Sequence, residues 1–434
     1  MHTSTDSVVD HSRISIRQIT IILTCVLFNM VDGFDITAMA IAASSIGSEL
    51  DLNPESLGLL FSFALAGMMC GAMFLAPLAD IVGRRILIIS SLLLVGVTVC
   101  LTAFSSNLTS LVLLRFSSGL GAGALMACQA ALASEYAPEK YRALAVAVVT
   151  AGYPLGAMST GLVAHSVIPE FGWRGLFFGG GIAALLMVVI AILSTPESLQ
   201  FLLQKQPRNA LRKINMILKS LERKTLASIP PRPVQHHNPT MGNNVKSLLN
   251  SRYKEKTLIL WLVFFFCFST LYFLMSWIPK LMTLSGFSEG VAYSAYTYFN
   301  LGGVLGILSM GVIASRVHLT HLVSTYLVLS ALLMLVFSQL PPNEFSLTLI
   351  IFVIGIAQQG GFTGLYAIAT KLYPVELRGT GVGWAIGLGR FGAVIGPAAA
   401  GYSIAIGISA SGNFVMFSIP MILGGILALK LGVR

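Results

Sequence analysis

Charge is what this sequence has least of. Only 10% of its 434 residues are Asp, Glu, Lys or Arg, where a soluble domain carries about 25%. With 55% hydrophobic residues and a mean hydropathy of +0.82, the chain reads as an integral membrane protein. Cysteine is scarce as well. Cys25, Cys70, Cys100, Cys128 and Cys267 all fall inside apolar runs, without ligand spacing or a disulfide framework. The opening "MHTSTDSVVDHSRISIR" lacks the apolar core of a secretory signal. No nucleophile, metal cluster or nucleotide loop is visible, so no enzyme, cofactor or metal is expected. The net charge of +10 comes without a basic patch interleaved with base-stacking aromatics, which argues against a nucleic-acid partner.

Long apolar runs are what the chain has instead. A membrane-crossing helix needs about 20 apolar residues, and twelve such segments start near residues 18, 55, 86, 108, 141, 175, 257, 291, 319, 345, 380 and 411. The expected class is an all-α membrane protein with twelve transmembrane helices in two pseudo-symmetric halves. A polar tail (1–17) precedes a six-helix half (18–196). A basic linker (197–256) leads to a second six-helix half (257–434). The linker holds "KQPRNALRKINMILKSLERK", which reads as an amphipathic helix, then a flexible "PPRPVQHHNPTMGNN". With both termini inside, 23 of the 27 Lys and Arg fall in cytoplasmic segments, and only Arg174 and Lys280 lie outside. That bias sets cytoplasmic termini and favours contact with anionic membrane lipid.

The halves echo each other. "APEKYRALAVAV" (137–148) and "YPVELRGTGVGW" (373–384) share Pro-x-x-x-Arg, and "YPLGAMSTG" and "RFGAVIGPAAAG" follow at equivalent places. Two similar halves around a central site fit a transporter that rocks between states.

Three stretches carry a family resemblance. "APLADIVGRR" (76–85), "LLRFSSGLGAG" (113–123) and "TPESLQFLL" (195–203) resemble major facilitator superfamily transporters over nearly the whole chain. "DGFD" at 32–35 resembles the first-span motif of the aromatic acid:proton symporter family. Ala76 and Ile81 depart from the loop motif, and "MGVIASRVHLTHLV" lacks the acidic residue of its mirrored copy. The resemblance implies import of an aromatic carboxylate with protons across the inner (plasma) membrane. A monomer is expected.

Four charges remain inside spans: Asp32, Asp35, Arg115 and Arg390. Each costs about 2.5–3.5 kcal/mol at a helix centre, so each should face a cavity or a partner. At about 1.5 Å per residue, Asp32 and Arg115 lie roughly level, and Asp35 is within reach if the helices tilt. Residues i and i+3 share a helix face, so both aspartates can point into one cavity below Asn29. Gly33 between them lets a neighbour come close. Burial opposes charge on a carboxyl and a nearby guanidinium favours it. A contact with Arg115 made in one conformation and broken in another would couple proton affinity to conformation. A static salt bridge or solvated mouth residues are the alternatives.

Arg390 sits near the midplane in "GLGRFGAVIGP", and a shift of the two aspartates by the repeat gives Phe268 and Leu271, with no acidic counterpart. A guanidinium there is a natural carboxylate ligand, unless it bonds backbone carbonyls or the Asp35 side. Polar and aromatic groups at similar depth are Gln358, Gln359, Phe362, Tyr366, Tyr272, Trp277, Tyr296 and Trp384. Together with Asn29 of the first span they would suit a planar organic acid. Tyr296 and Tyr298 cannot both face it. Asp80, Arg84 and Arg85 resemble the superfamily's cytoplasmic latch, with Asp80 able to accept bonds from a helix N-terminus. Glu135, Arg142, Glu376 and Arg378 could extend that network. The remaining rivals are an exporting proton antiporter, a sugar carrier and a nutrient receptor of transporter fold.

Overall fold

The computed structural model describes residues 14–223, 225–229, 248–250, 252–314, 316–341 and 343–433. Among them the regular structure is helical, without strands. The first half contains α1 (Ile16–Glu49), α2 (Pro54–Cys70), α3 (Arg84–Thr102) and α4 (Leu108–Tyr136). The π turn Gly71–Leu75 and a short 3-10 turn carry α2 on to Val82. A continuous helical stretch, Arg142–Ser194, follows. Its 53 residues would measure about 80 Å, far beyond a hydrocarbon core of about 30 Å. Gly172, at φ +66°, breaks it into α5 (142–171) and α6 (173–194). That left-handed backbone favours glycine, and it restores the expected twelve crossings.

Two short helices, α7 (Leu199–Lys205) and α8 (Ala210–Ser220), begin the central segment. The second is the amphipathic helix expected there. Ile214, Ile217 and Leu218 on its apolar face pack against the first half, with Arg212, Lys213 and Lys219 exposed. The stretch 230–247, with His236 and His237, lies outside the described residues. The second half contains α9 (Lys254–Leu284), α10 (Glu289–Ile313), α11 (Leu319–Gln339), α12 (Glu344–Leu372), α13 (Val375–Ala405) and α14 (Ala410–Leu429).

Five of the helices that start at the end far from the chain termini share one device. Asn53, Asn107, Ser288, Asn343 and Ser409 each cap a helix by accepting a bond from a backbone N–H three residues on. Such caps satisfy donors that a buried helix end leaves open.

Where the halves touch sets the shape of the site. One apolar cluster joins both halves at the end remote from the termini, through residues such as Phe61, Leu57, Trp277, Tyr293 and Ala400. Gly58 on α2 meets Pro397, Ala398 and Gly401 on α13, and Gly161 on α5 meets Tyr293 and Thr297 on α10. Ser62 Oγ donates to Val394 O at 2.6 Å, and Ser44 and Thr283 hydroxyls pair at 3.2 Å. At the terminal end the core divides. One cluster there lies in the first half with α7 and α8, and the other lies in the second half except for Leu65. The apolar packing between the halves is therefore concentrated at the far end.

Gly33 shows how tightly α1 and α5 approach. A Cβ there would lie 2.1 Å from Tyr153 O, well inside contact distance. Gly33→Val should push α5 off α1 and lower the melting temperature of the purified protein by several degrees. An unchanged melting curve would contradict this packing.

Candidate functional site

The two aspartates of α1 have different surroundings. Asp35 is ion-paired, with Arg115 Nη1 donating to its Oδ1 at 2.6 Å. Arg115 Nη2 donates to Thr102 Oγ1 at 3.0 Å, and the guanidinium lies 5.0 Å from the Phe177 ring centroid. All of this is buried. Asp32 is 1% exposed, and neither of its oxygens has a hydrogen-bond partner among the described residues. Of the two aspartates within reach of Arg115, the arginine pairs with Asp35. Positions i and i+3 are about 60° apart around a helix, enough to turn Asp35 toward α3, α4 and α6 while Asp32 looks toward α5 and α13.

Asn29 is committed elsewhere too. Its Nδ2 donates to Val149 O at 2.7 Å and its Oδ1 accepts from Gln129 Nε2 at 2.8 Å. It knots α1, α4 and α5 and leaves little for a ligand.

Around Asp32 the two halves meet across a polar centre. Arg390 on α13 is within electrostatic reach of Asp32, Tyr153, Tyr272 and Tyr366. Its guanidinium meets a soft neighbour, with Met126 Sδ 3.5 Å from Nη2. Beside it runs a chain of rings from α9 and α12. Phe268 stacks on Tyr272 (centroids 6.0 Å, planes 8° apart) and meets Phe362 edge-on at 4.9 Å. Phe362 meets Tyr366 at 5.2 Å, and Tyr366 meets Phe264 at 5.5 Å. Gly389, next to Arg390, gives Phe264 and Phe268 room, since a Cβ there would lie 2.6 Å from the Phe268 ring. One wall therefore offers a cation and flat apolar faces, and the opposite wall offers an unpaired carboxyl.

Tyr272, Phe362, Tyr366 and Arg390 come together as the sequence suggested. Tyr296 is buried beside Thr37 and Asn300, while Tyr298 is 46% exposed on the outside. Gln359 is buried with its Nε2 unpaired among the described residues. Besides Asn29, three expected contacts lie elsewhere. Gln358 is tied between α11 and α9, accepting from Ser330 Oγ at 2.8 Å and donating to Cys267 O at 3.3 Å. Trp277 sits in the far-end packing, edge-on to Phe61 at 5.3 Å, with its Nε1 donating to Pro397 O at 3.0 Å. Trp384 is 37% exposed against Trp261. Tyr153, Phe264, Phe268 and Met126 were missed. Phe268 had a signal: it is the repeat counterpart of Asp32.

At the terminal end a network ties the first half to itself. Arg84 pairs with Glu135, whose other oxygen accepts from Ser198 Oγ at 2.6 Å. Glu197 Oε1 accepts from the backbone N–H of Arg85 at 3.1 Å and of Ser198 at 2.9 Å. Tyr136 Oη donates to Glu197 O at 2.6 Å, and Arg85 Nη2 to Ile192 O at 2.6 Å. Asp80 is exposed on the turn Ala79–Val82, and Glu197 takes the backbone N–H of Arg85 at the N-terminus of α3. Arg142 is half-buried at the start of α5 and Arg378 is exposed, while the Glu376 side chain lies outside the described residues. The Pro-Glu-Ser exit from α6 was the signal for Glu197 and Ser198.

The model of the Major Facilitator Superfamily matches residues 25–336 and 260–434. Among curated relatives, the 4-hydroxybenzoate transporter PcaK of Acinetobacter baylyi is 33% identical, over 90% of this chain and 86% of its own. The benzoate transport protein of the same organism is 28% identical, over 96% and 90%. Among solved structures, the inward open xylose transporter XylE from E. coli superposes with a TM-score of 0.73 at 16% identity, covering 96% of both chains.

Proposed function

The chain belongs to the Major Facilitator Superfamily, and from that premise we propose that it imports an aromatic carboxylate by proton symport through alternating access. Its place would be the inner membrane, with both termini in the cytoplasm, as the Lys and Arg bias favours. In that orientation the end where the halves pack most closely faces outward, which would suit an inward-facing state. The observation that carries the reading is the pairing of Arg390 with a run of aromatic rings across from an unpartnered Asp32. Guanidinium suits the carboxylate, and the ring faces suit a planar ring by offset or edge contact.

Arg390 can stabilise one of two anions, the ionised Asp32 or the substrate carboxylate. A proton on Asp32 leaves the arginine to the substrate on the outer side. When the acid departs into the cytoplasm, Arg390 turns its field on Asp32, which then releases its proton to the same side. Substrate and proton travel together by this exchange, while Asp35 and Arg115 hold α1 against α4. Transport makes no or breaks no covalent bond of the substrate, in keeping with relatives that are named as transporters.

The test is uptake of labelled 4-hydroxybenzoate into proteoliposomes. Accumulation is expected with an inward proton gradient and is lost with a protonophore. Accumulation that follows an outward gradient instead would identify an exporting antiporter.

A further inference from the structure

Three polar groups near the aromatic wall are left over by the mechanism. Tyr296, Asn300 and Gly303 follow one another at i, i+4 and i+7, a single stripe of α10. Asn300 is fully buried. Its Nδ2 donates to Tyr296 O at 3.0 Å, but its Oδ1 has no partner among the described residues. The Gln359 amide of α12 lies against Gly303, so close that a Cβ there would be 2.1 Å from Nε2. That Nε2 is buried and also without a partner. The Tyr296 hydroxyl lies beside Thr37 and Asn300, and closes no hydrogen bond of ordinary geometry. It is within electrostatic reach of Tyr272, as Tyr272 is of Arg390.

A buried polar atom left unpaired costs about 1–3 kcal/mol, and such atoms are rare enough that a cluster calls for a missing partner. Here the cluster holds an acceptor, a donor and a hydroxyl. We propose that Asn300 and Gln359, with Tyr296 beside them, form a subsite for a phenolic hydroxyl borne on the substrate ring away from its carboxylate. The proposal rests on the aromatic-carboxylate reading above. The phenol O–H donates to Asn300 Oδ1, and its oxygen accepts from Gln359 Nε2. Because Arg390 is on α13 and the subsite on α10 and α12, a hydroxyl adjacent to the carboxylate stays by the arginine. A meta or para hydroxyl points toward the subsite. A site built for a hydroxyl discriminates against the analogue that lacks it, since its own polar groups then stay unpaired.

The experiment compares benzoate, 2-hydroxybenzoate and 4-hydroxybenzoate as competitors of uptake in proteoliposomes of wild type, Asn300→Leu and Gln359→Met. In wild type, 4-hydroxybenzoate should bind about tenfold or more tighter than benzoate, the worth of about 1.4 kcal/mol. Each variant should erase that preference, leave benzoate within about twofold, and treat 2-hydroxybenzoate as benzoate throughout. Benzoate uptake reports that the variants are folded. An unchanged preference in both variants, as for a subsite that only holds water, overturns the proposal, and so does a parallel loss for all three acids. A wild type that carries none of these acids overturns the underlying reading, a result distinct from the other two.

Discussion

Replacing Asp32 with Asn should abolish gradient-driven accumulation while leaving exchange of labelled for unlabelled substrate running. The amide has nearly the same shape and cannot gain or lose a proton at transport pH. Neither oxygen of Asp32 holds another part of the protein, so the change should cost little stability. Asp35→Asn should behave differently. It strips the partner from Arg115, which is 0% exposed, and removal of one member of a buried ion pair costs about 3–5 kcal/mol. The expected result there is a lower melting temperature and less protein in the membrane, with exchange reduced in proportion. Uptake with and without a pH gradient, counterflow, and thermal unfolding in detergent separate the two. Full accumulation by Asp32→Asn would remove it from the proton path. Loss of accumulation by Asp35→Asn at unchanged stability would move the proton to Asp35.

That division between the aspartates could not be read from "DGFD". Heights along helices follow from residue counts, and on that basis the buried charges and the twelve crossings were legible. The Gly172 break was legible as well, because the expected spans five and six start on either side of it. Azimuth is harder. Asp32 and Asp35 differ by a modest rotation, and Gln358 and Gln359 by about 100°. Which of each pair meets the cavity depends on how neighbouring helices cross. Trp277 belongs to the same class. At its height an aromatic could face a ligand or the opposite half, and only the closure of α2 on α13 around Gly58 and Gly401 decides it. Asp80 is a further case, exposed on its turn while Glu197 accepts from the backbone N–H of Arg85 at the start of α3, a contact that a loop motif does not announce. The repeat held an unused hint, since the position equivalent to Asp32 is Phe268, which stacks on Tyr272 and meets Phe362.

Arg390→Gln should weaken binding of aromatic carboxylates by about 100-fold, the loss of a charge-assisted pair worth about 2–5 kcal/mol when one partner is truncated in a buried site. The glutamine keeps much of the length and a donor, so packing against Met126 and the rings survives. What it lacks is the charge and the fork that grips both carboxylate oxygens. Benzamide has the same ring and no charge, so its weak competition should change little. Arg390→Lys should recover part of the carboxylate affinity, since it restores the charge without the fork. The same substitution tests the exchange of anions at the arginine. Arg390 is the cation within electrostatic reach of Asp32 among the described residues, so without it the proton should stay on the carboxyl after substrate has gone. Any residual uptake in Arg390→Gln should then lose its dependence on the proton gradient along with its affinity. Equal losses for benzoate and benzamide would assign Arg390 to holding the helices together. Lost affinity with coupling intact would break the link between Arg390 and Asp32 and leave the arginine as a carboxylate ligand alone.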